Sequence, residues 1–100
     1  MCKIELSGII NSTNLLSDAG ADFYHKLFAA LSSEENVVVD MTDVSSLPSV
    51  FLNVSIGRLI DEIGVDALRN RISFVMITKQ QAARLKEYII KYTSRTNLVN

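Results

Sequence analysis

The side chains with the greatest chemical potential in this chain lie close together: Asp40, Asp43, Ser45, Ser46 and Ser49, two carboxylates followed by three hydroxyls. A serine becomes a nucleophile only beside a base. The single histidine, His25, lies in a segment of helical pattern, on the flank of its apolar face, and reads as a partly exposed helix residue. One cysteine, Cys2, and one histidine cannot make a usual transition-metal set. Asp40 and Asp43 could hold Mg²⁺ together with Asp18, but isolated loop aspartates more often close turns by accepting backbone hydrogen bonds. Gly8, Gly20, Gly57 and Gly64 are too scattered to cradle the phosphates of a nucleotide. The residues therefore predict no enzyme, no metal and no cofactor.

Composition narrows the remaining classes. Of 100 residues, 48% are hydrophobic, enough to bury a core without metal or disulfide staples, and the length suits a single domain over residues 1–100. Ten basic and eleven acidic residues leave a formal charge of −1, which supplies no long-range field for a polyanion and argues against nucleic acid. Lys79, Arg84, Lys86, Lys91 and Arg95 make the last helix basic, but this pattern reads as a solvated face, with Tyr88 and Tyr92 as packing residues. No apolar run approaches membrane-spanning length, and the N-terminal stretch is too polar for a signal peptide. A lone cysteine allows no internal bridge and suits a reducing compartment, so the expected location is cytoplasmic, with no membrane partner.

The elements that must position the serines follow from periodicity. Ile4 and Leu6 alternate with Lys3 and Glu5, and Ser7-Gly8 leads to Ile9-Ile10, the pattern of a strand with a bulge or a small hairpin closed by residues 11–14. Ser17 can cap a helix bearing Ala21, Tyr24, Leu27, Phe28 and Leu31 on one face and ending near Ser32-Ser33, and Ala19-Gly20-Ala21 marks tight packing. Val37-Val38-Val39, without polar alternation, predicts a central strand covered on both faces and ending at Asp40. After the loop over residues 41–47, Pro48 and Ser49 signal a helix start, with Ser49 as its cap; Leu52, Ile56, Leu59, Ile60 and Ile63 form its core stripe and Gly64 its stop. A turn of helix at Asp66-Ala67-Leu68 precedes a third strand over residues 72–77. Thr78 and Gln81 then fit a capping box, opening a helix that buries Ala82, Leu85, Ile89 and Tyr92. Each strand-to-strand connection contains a helix. The expected fold is thus α/β: a small three- to four-stranded, mostly parallel sheet with about three packed helices.

A helical wheel of the segment after Ser49 places Val50 and Val54 nearly opposite the core stripe and Phe51 on its shoulder. Farther along, the outward face turns polar with Arg58, Asp61 and Glu62. A local apolar excess rimmed by polar groups is how a protein-docking site often looks, and the expected partner-binding set is Ser45, Ser46, Ser49, Val50, Phe51 and Val54.

The segment 37–64 resembles the STAS domain of anti-sigma-factor antagonists and sulfate transporters, and especially the small bacterial STAS-like family. The resemblance rests on a β-branched strand ending in an acidic residue (Val37-Val38-Val39-Asp40), a short loop with a valine (Met41-Thr42-Asp43-Val44), and a serine before a phenylalanine-containing helix (Ser49-Val50-Phe51-Leu52). It implies a cytoplasmic regulatory protein-binding module of the anti-sigma-antagonist type. Its partner would be a histidine-kinase-like ATPase, which would phosphorylate the serine matched by Ser49. Pro48 stands where antagonists usually have Asp, and Val50 and Phe51 stand where they have a second serine and a glycine. Two alternatives remain open: a structural or homodimer-forming module using the same patch without phosphorylation, and a small-ligand or nucleotide-binding domain at the C-terminal edge of the strands.

Overall fold

The computed structural model describes residues 2–12, 14–33 and 35–98, with side chains described through residue 94. In chain order the elements are β1 (Cys2–Glu5), α1 (Leu6–Ile10), α2 (Leu16–Ser32), β2 (Val37–Asp40), α3 (Ser49–Leu52), a π turn (Asn53–Gly57), α4 (Arg58–Ile63), α5 (Val65–Arg71), β3 (Ile72–Val75) and α6 (Lys79–Leu98). The strands form one parallel sheet in the order β1-β2-β3, with Cys2, Val37 and Ile72 level, and Ile4, Val39 and Phe74 two residues on. The expected α/β architecture with a small parallel sheet and packed helices is the architecture present.

The side-chain period of two divides the sheet into unlike faces. Cys2, Ile4, Val37, Val39, Ile72 and Phe74 point to the helices and are buried or half-buried; Lys3, Glu5, Ser73 and Val75 point the other way and are exposed, with Val38 and Asp40 half-covered between them. The triple valine is therefore central in the sheet but covered on one face only. Its unbroken apolar run reflects the fit of β-branched side chains to a pleated surface, not a second layer.

The opening segment also differs from expectation. The strand stops at Glu5, and Leu6, Ile9 and Ile10 belong to a single helical turn whose Leu6 and Ile9 are buried. Five residues are too few for helical periodicity to declare itself. Thr13, one of the polar residues expected to close the segment, lies outside the described residues. The helix α2 begins one residue before Ser17, with Leu15 at the cap position and no side-chain cap bond, so Ser17 is an exposed first-turn residue. The buried face of α2 comprises Ala19, Gly20, Phe23, Tyr24, Leu27, Ala30 and Leu31, leaving Phe28 largely outside. Gly20 does sit at a close approach: a Cβ there would lie 2.7 Å from the Phe51 carbonyl oxygen and would collide with the Val54 side chain.

Of the remaining boundaries, the ends of α2 and α4 match the sequence, while α5 is longer and β3 shorter than expected. Ser33 closes α2, Gly64 with φ of 87° separates α4 from α5, and α5 extends the expected turn to seven residues. The third strand ends at Val75 because Met76 takes a left-handed φ of 55°, breaking the ladder before Ile77. The buried apolar residues form one cluster, centred on Phe23, Leu27, Val39, Phe51, Leu52, Ile56 and Leu59.

Candidate functional site

The loop after β2 is short of regular structure but anchored at regular intervals. Met41, Val44 and Leu47 are buried, so every third residue pins the backbone to the core while Ser45 and Ser46 face out. At its start the Asp40 carboxylate accepts hydrogen bonds from the Thr42 amide at 2.9 Å and the Thr42 hydroxyl at 2.6 Å, with Lys3 at 3.6 Å. These Thr42 bonds, helped by Lys3, hold the Asp40 carboxyl below the usual carboxylate range. Asp40 is thus the residue that closes the turn, and Asp43, at φ 64°, occupies the left-handed conformation that aspartate tolerates better than most residues.

The far end of the loop is held by α6. The expected capping box is formed: the Thr78 amide donates to Gln81 Oε1 at 3.1 Å, and the Gln81 amide donates to the Thr78 hydroxyl at 3.0 Å. The buried Gln81 then uses its amide nitrogen to donate to the Val44 carbonyl. One helical turn on, Arg84 Nε donates to the Leu47 carbonyl at 3.3 Å and Nη2 to the Ser49 hydroxyl at 2.9 Å. Residues three apart on a helix share a face, so Gln81 and Arg84 grip the serine loop at two points. Between them and the loop lies a cavity of about 570 Å³ reached by Ser45, Ser46 and Pro48. Arg84 therefore turns toward the loop and is not, as expected, part of a solvated basic face. Ala82, expected on the buried face of α6, is exposed, and Tyr88 is buried; the side chain of Arg95 lies outside the described residues.

Ser49 opens α3 but does not cap it. Pro48 holds the cap position with extended backbone and no side-chain bond, and the Ser49 hydroxyl is exposed and accepts from Arg84 instead. The three apolar neighbours part ways. Val50 is 54% exposed, Val54 is half-buried against Gly20, and Phe51 is 0% exposed with its ring stacked on Phe23 at 5.7 Å. The expected surface therefore loses Phe51, which is a core residue.

The π turn explains the error. An extra residue in one turn shifts the phase of a helix by ~100°, so the first turn is rotated relative to the stripe that follows. Phe51 and Leu52 are thereby brought to straddle the line of Ile56 and Leu59, and Ser55, whose hydroxyl donates to the Phe51 carbonyl at 2.8 Å, is fully buried beside them. The helix over residues 49–63 keeps Val50 outward through this rotation. On its other flank Tyr88 donates to Asn53 at 2.8 Å and Tyr92 to the Asp61 carboxylate at 2.6 Å; burial, then Asp61, pushes the Tyr92 phenol up to about 12.

Among the described residues no three of the His, Cys, Asp and Glu side chains gather as a metal would require, and no helix is long and apolar enough to cross a membrane. His25 is an exposed α2 residue edge-on to Tyr24 at 5.3 Å. Ser45, Ser46 and Pro48 thus share a cavity with Gln81 and Arg84, and Arg84 also holds Ser49, after which Val50 is exposed while Val54 packs against Gly20; the sequence named Gln81 only as a cap and Arg84 only as part of a solvated face.

The pattern of the STAS-like domain of unknown function (DUF4325) matches residues 19–82, from the first turn of α2 to the capping box of α6. No curated protein and no solved structure gives a significant match.

Proposed function

The chain belongs to the STAS-like domain family, and from that premise we propose that it is a single-domain, non-enzymatic cytoplasmic module that binds a signalling protein through the serine loop and the first turn of α3. One observation carries the reading: Val50, 54% exposed, follows the exposed Ser49 directly after a serine loop whose Val44 and Leu47 carbonyls are held by Gln81 and Arg84. A docking surface that is ordered before its partner arrives avoids much of the entropy cost of binding. Val54 supplies the margin of this surface, and Phe51 acts from beneath by holding the turn in place.

The partner we propose is a histidine-kinase-like ATPase, as the family resemblance implies, and Ser49 is the residue it phosphorylates. The Arg84 guanidinium already reaches the Ser49 oxygen, so a phosphate there would gain a charge-assisted bond and the positive end of the helix over residues 49–63. The same charge is costly to bury under an apolar partner surface beside Val50, so phosphorylation releases the complex.

The test is a titration of candidate kinase-like ATPases with the wild-type chain and with Val50→Asp. The expected result is loss of binding by a variant whose circular dichroism and unfolding midpoint are unchanged. Equal binding by the folded variant would overturn the docking site, and a dimer that resists Val50→Asp and excludes the ATPase would replace the reading with self-assembly.

A further inference from the structure

A second surface, sharing no lining residue with the serine-loop cavity, lies along the free edge of β3. Strand β3 has β2 on one side and no strand among the described residues on the other. The Met41 amide donates to the Val75 carbonyl at 2.9 Å, which fixes the alternation: Ser73 and Val75 turn their amide groups toward β2. The N–H and C=O of Phe74 and the C=O of Ile72 therefore point outward, away from the sheet. Beneath that edge, between β3, α5 and α6, runs an open groove of about 470 Å³. Its floor is apolar, built from Leu68, Ile72, Phe74, Leu85 and the 47%-exposed Ile90. Its charged lining is of one sign: Arg69 from α5 and Lys86 from α6, both exposed, with no carboxylate among the lining residues and neither cation in an ion pair among the described residues.

We propose that this groove takes an extended segment of a partner protein, added as a fourth strand along β3, with aliphatic side chains directed into the groove and carboxylates directed to Arg69 and Lys86. Three features select that occupant. Outward main-chain groups beside an apolar trough flanked by a helix are the requirements for strand addition, in which backbone bonds give affinity and alternate side chains give selectivity. The edge is four residues long, ~13 Å, which sets a short segment. The unpaired cations select acidic residues and oppose a second copy, because pairing two β3 edges across a two-fold axis brings the like-charged Arg69 and Lys86 rims toward each other. This surface is separate from the serine loop, so its occupancy stands or falls independently of the ATPase reading.

The experiment uses the full chain, isotopically labelled, and an acetylated peptide alternating valine and glutamate. Amide shifts are expected to cluster at residues 72–77 and 82–90, and binding is expected to weaken steeply with salt. The exposed-site variants Arg69→Glu and Lys86→Glu are each expected to weaken it by about tenfold, whereas Lys79→Glu, outside the groove, leaves it unchanged. The same peptide N-methylated at alternate amides, and one with lysine in place of glutamate, are expected not to bind. Shifts located elsewhere, equal binding of the acidic and basic peptides, or unimpaired binding of the N-methylated peptide would each overturn the proposal. So would concentration-dependent shifts at residues 72–77 without peptide, accompanied by a doubling of mass, which would assign the groove to a second copy.

Discussion

The Arg84 guanidinium on α6 donates to the hydroxyl of Ser49 at the start of α3 at 2.9 Å, across thirty-five residues of sequence. The contact joins the last helix to an exposed hydroxyl at the first residue of α3 and sets a cation beside it. Ser49→Glu, as a carboxylate surrogate for phosphate, is expected to raise the urea midpoint of unfolding by the equivalent of about 1 kcal/mol, through Arg84 and the helix start. In an Arg84→Ala background the same substitution should give much less of this gain. A double-mutant cycle measures the difference, and additive effects would show that the two side chains do not act on each other.

Gln81 is expected to matter twice. Thr78→Ala removes one side of the capping box, at a cost of about 1 kcal/mol. Gln81→Ala removes the other side and also leaves the Val44 carbonyl without its partner, which adds about 1–3 kcal/mol if that carbonyl stays buried. Denaturant unfolding separates the two variants. Hydrogen exchange at Ser45 and Ser46 should accelerate in Gln81→Ala alone, since only that variant frees the loop.

Gly20→Ala tests the contact between α2 and the helix over residues 49–63. Helix propensity alone favours alanine by ~1 kcal/mol. The added Cβ, however, would meet the Phe51 carbonyl at 2.7 Å and overlap the Val54 side chain. Backbone must move to admit it, so the expected outcome is a net loss of about 1–3 kcal/mol. An increase in thermal midpoint would mean that the two helices separate more easily than their spacing indicates.

Tyr92 contributes to stability on the alkaline side. Its phenol is raised from 10.0 to about 12 in the folded chain, by burial first and by Asp61 second. A folded-state value above the unfolded one favours the folded state while the phenol keeps its proton, so this contribution is whole below pH 10 and is lost as pH rises toward 12. Tyr92→Phe should flatten the decline in unfolding midpoint over that window. Phenolate absorbance of the folded protein should show one tyrosine titrating later in the wild type and not in the variant.

Much of the fold was legible because it is written locally. Val37–Asp40 reads as a strand from its β-branched run, Gly64 as a helix stop from its permitted φ, and Thr78 with Gln81 as a reciprocal cap from their spacing. The candidate site was legible only in outline. Ser45, Ser46 and Val50 are outward as the pattern suggested, but the wheel assumed a uniform helix, and the π turn carried Phe51 into the core. Ser17 and Ser49 look like caps in sequence, yet Leu15 and Pro48 hold those positions, because the cap belongs to whichever residue adopts extended backbone at the boundary. The part played by Arg84 depends on a contact with a loop far away in sequence, and single-chain periodicity is blind to such a pairing. The bare face of the sheet was hidden for a related reason: three valines in succession have the same composition whether one side or both are covered.

The π turn at Asn53–Gly57 couples the two ends of its helix. Its widened coil holds one residue more than an ordinary helical turn would. Losing one residue there would rewind the rod and swing Ser49 and Val50 about its axis by ~100°, and Phe51 and Leu52 with them. Phe51 would then leave its stack on Phe23, so the bulge ties the outward end of this helix to the core and neither can be re-aimed alone.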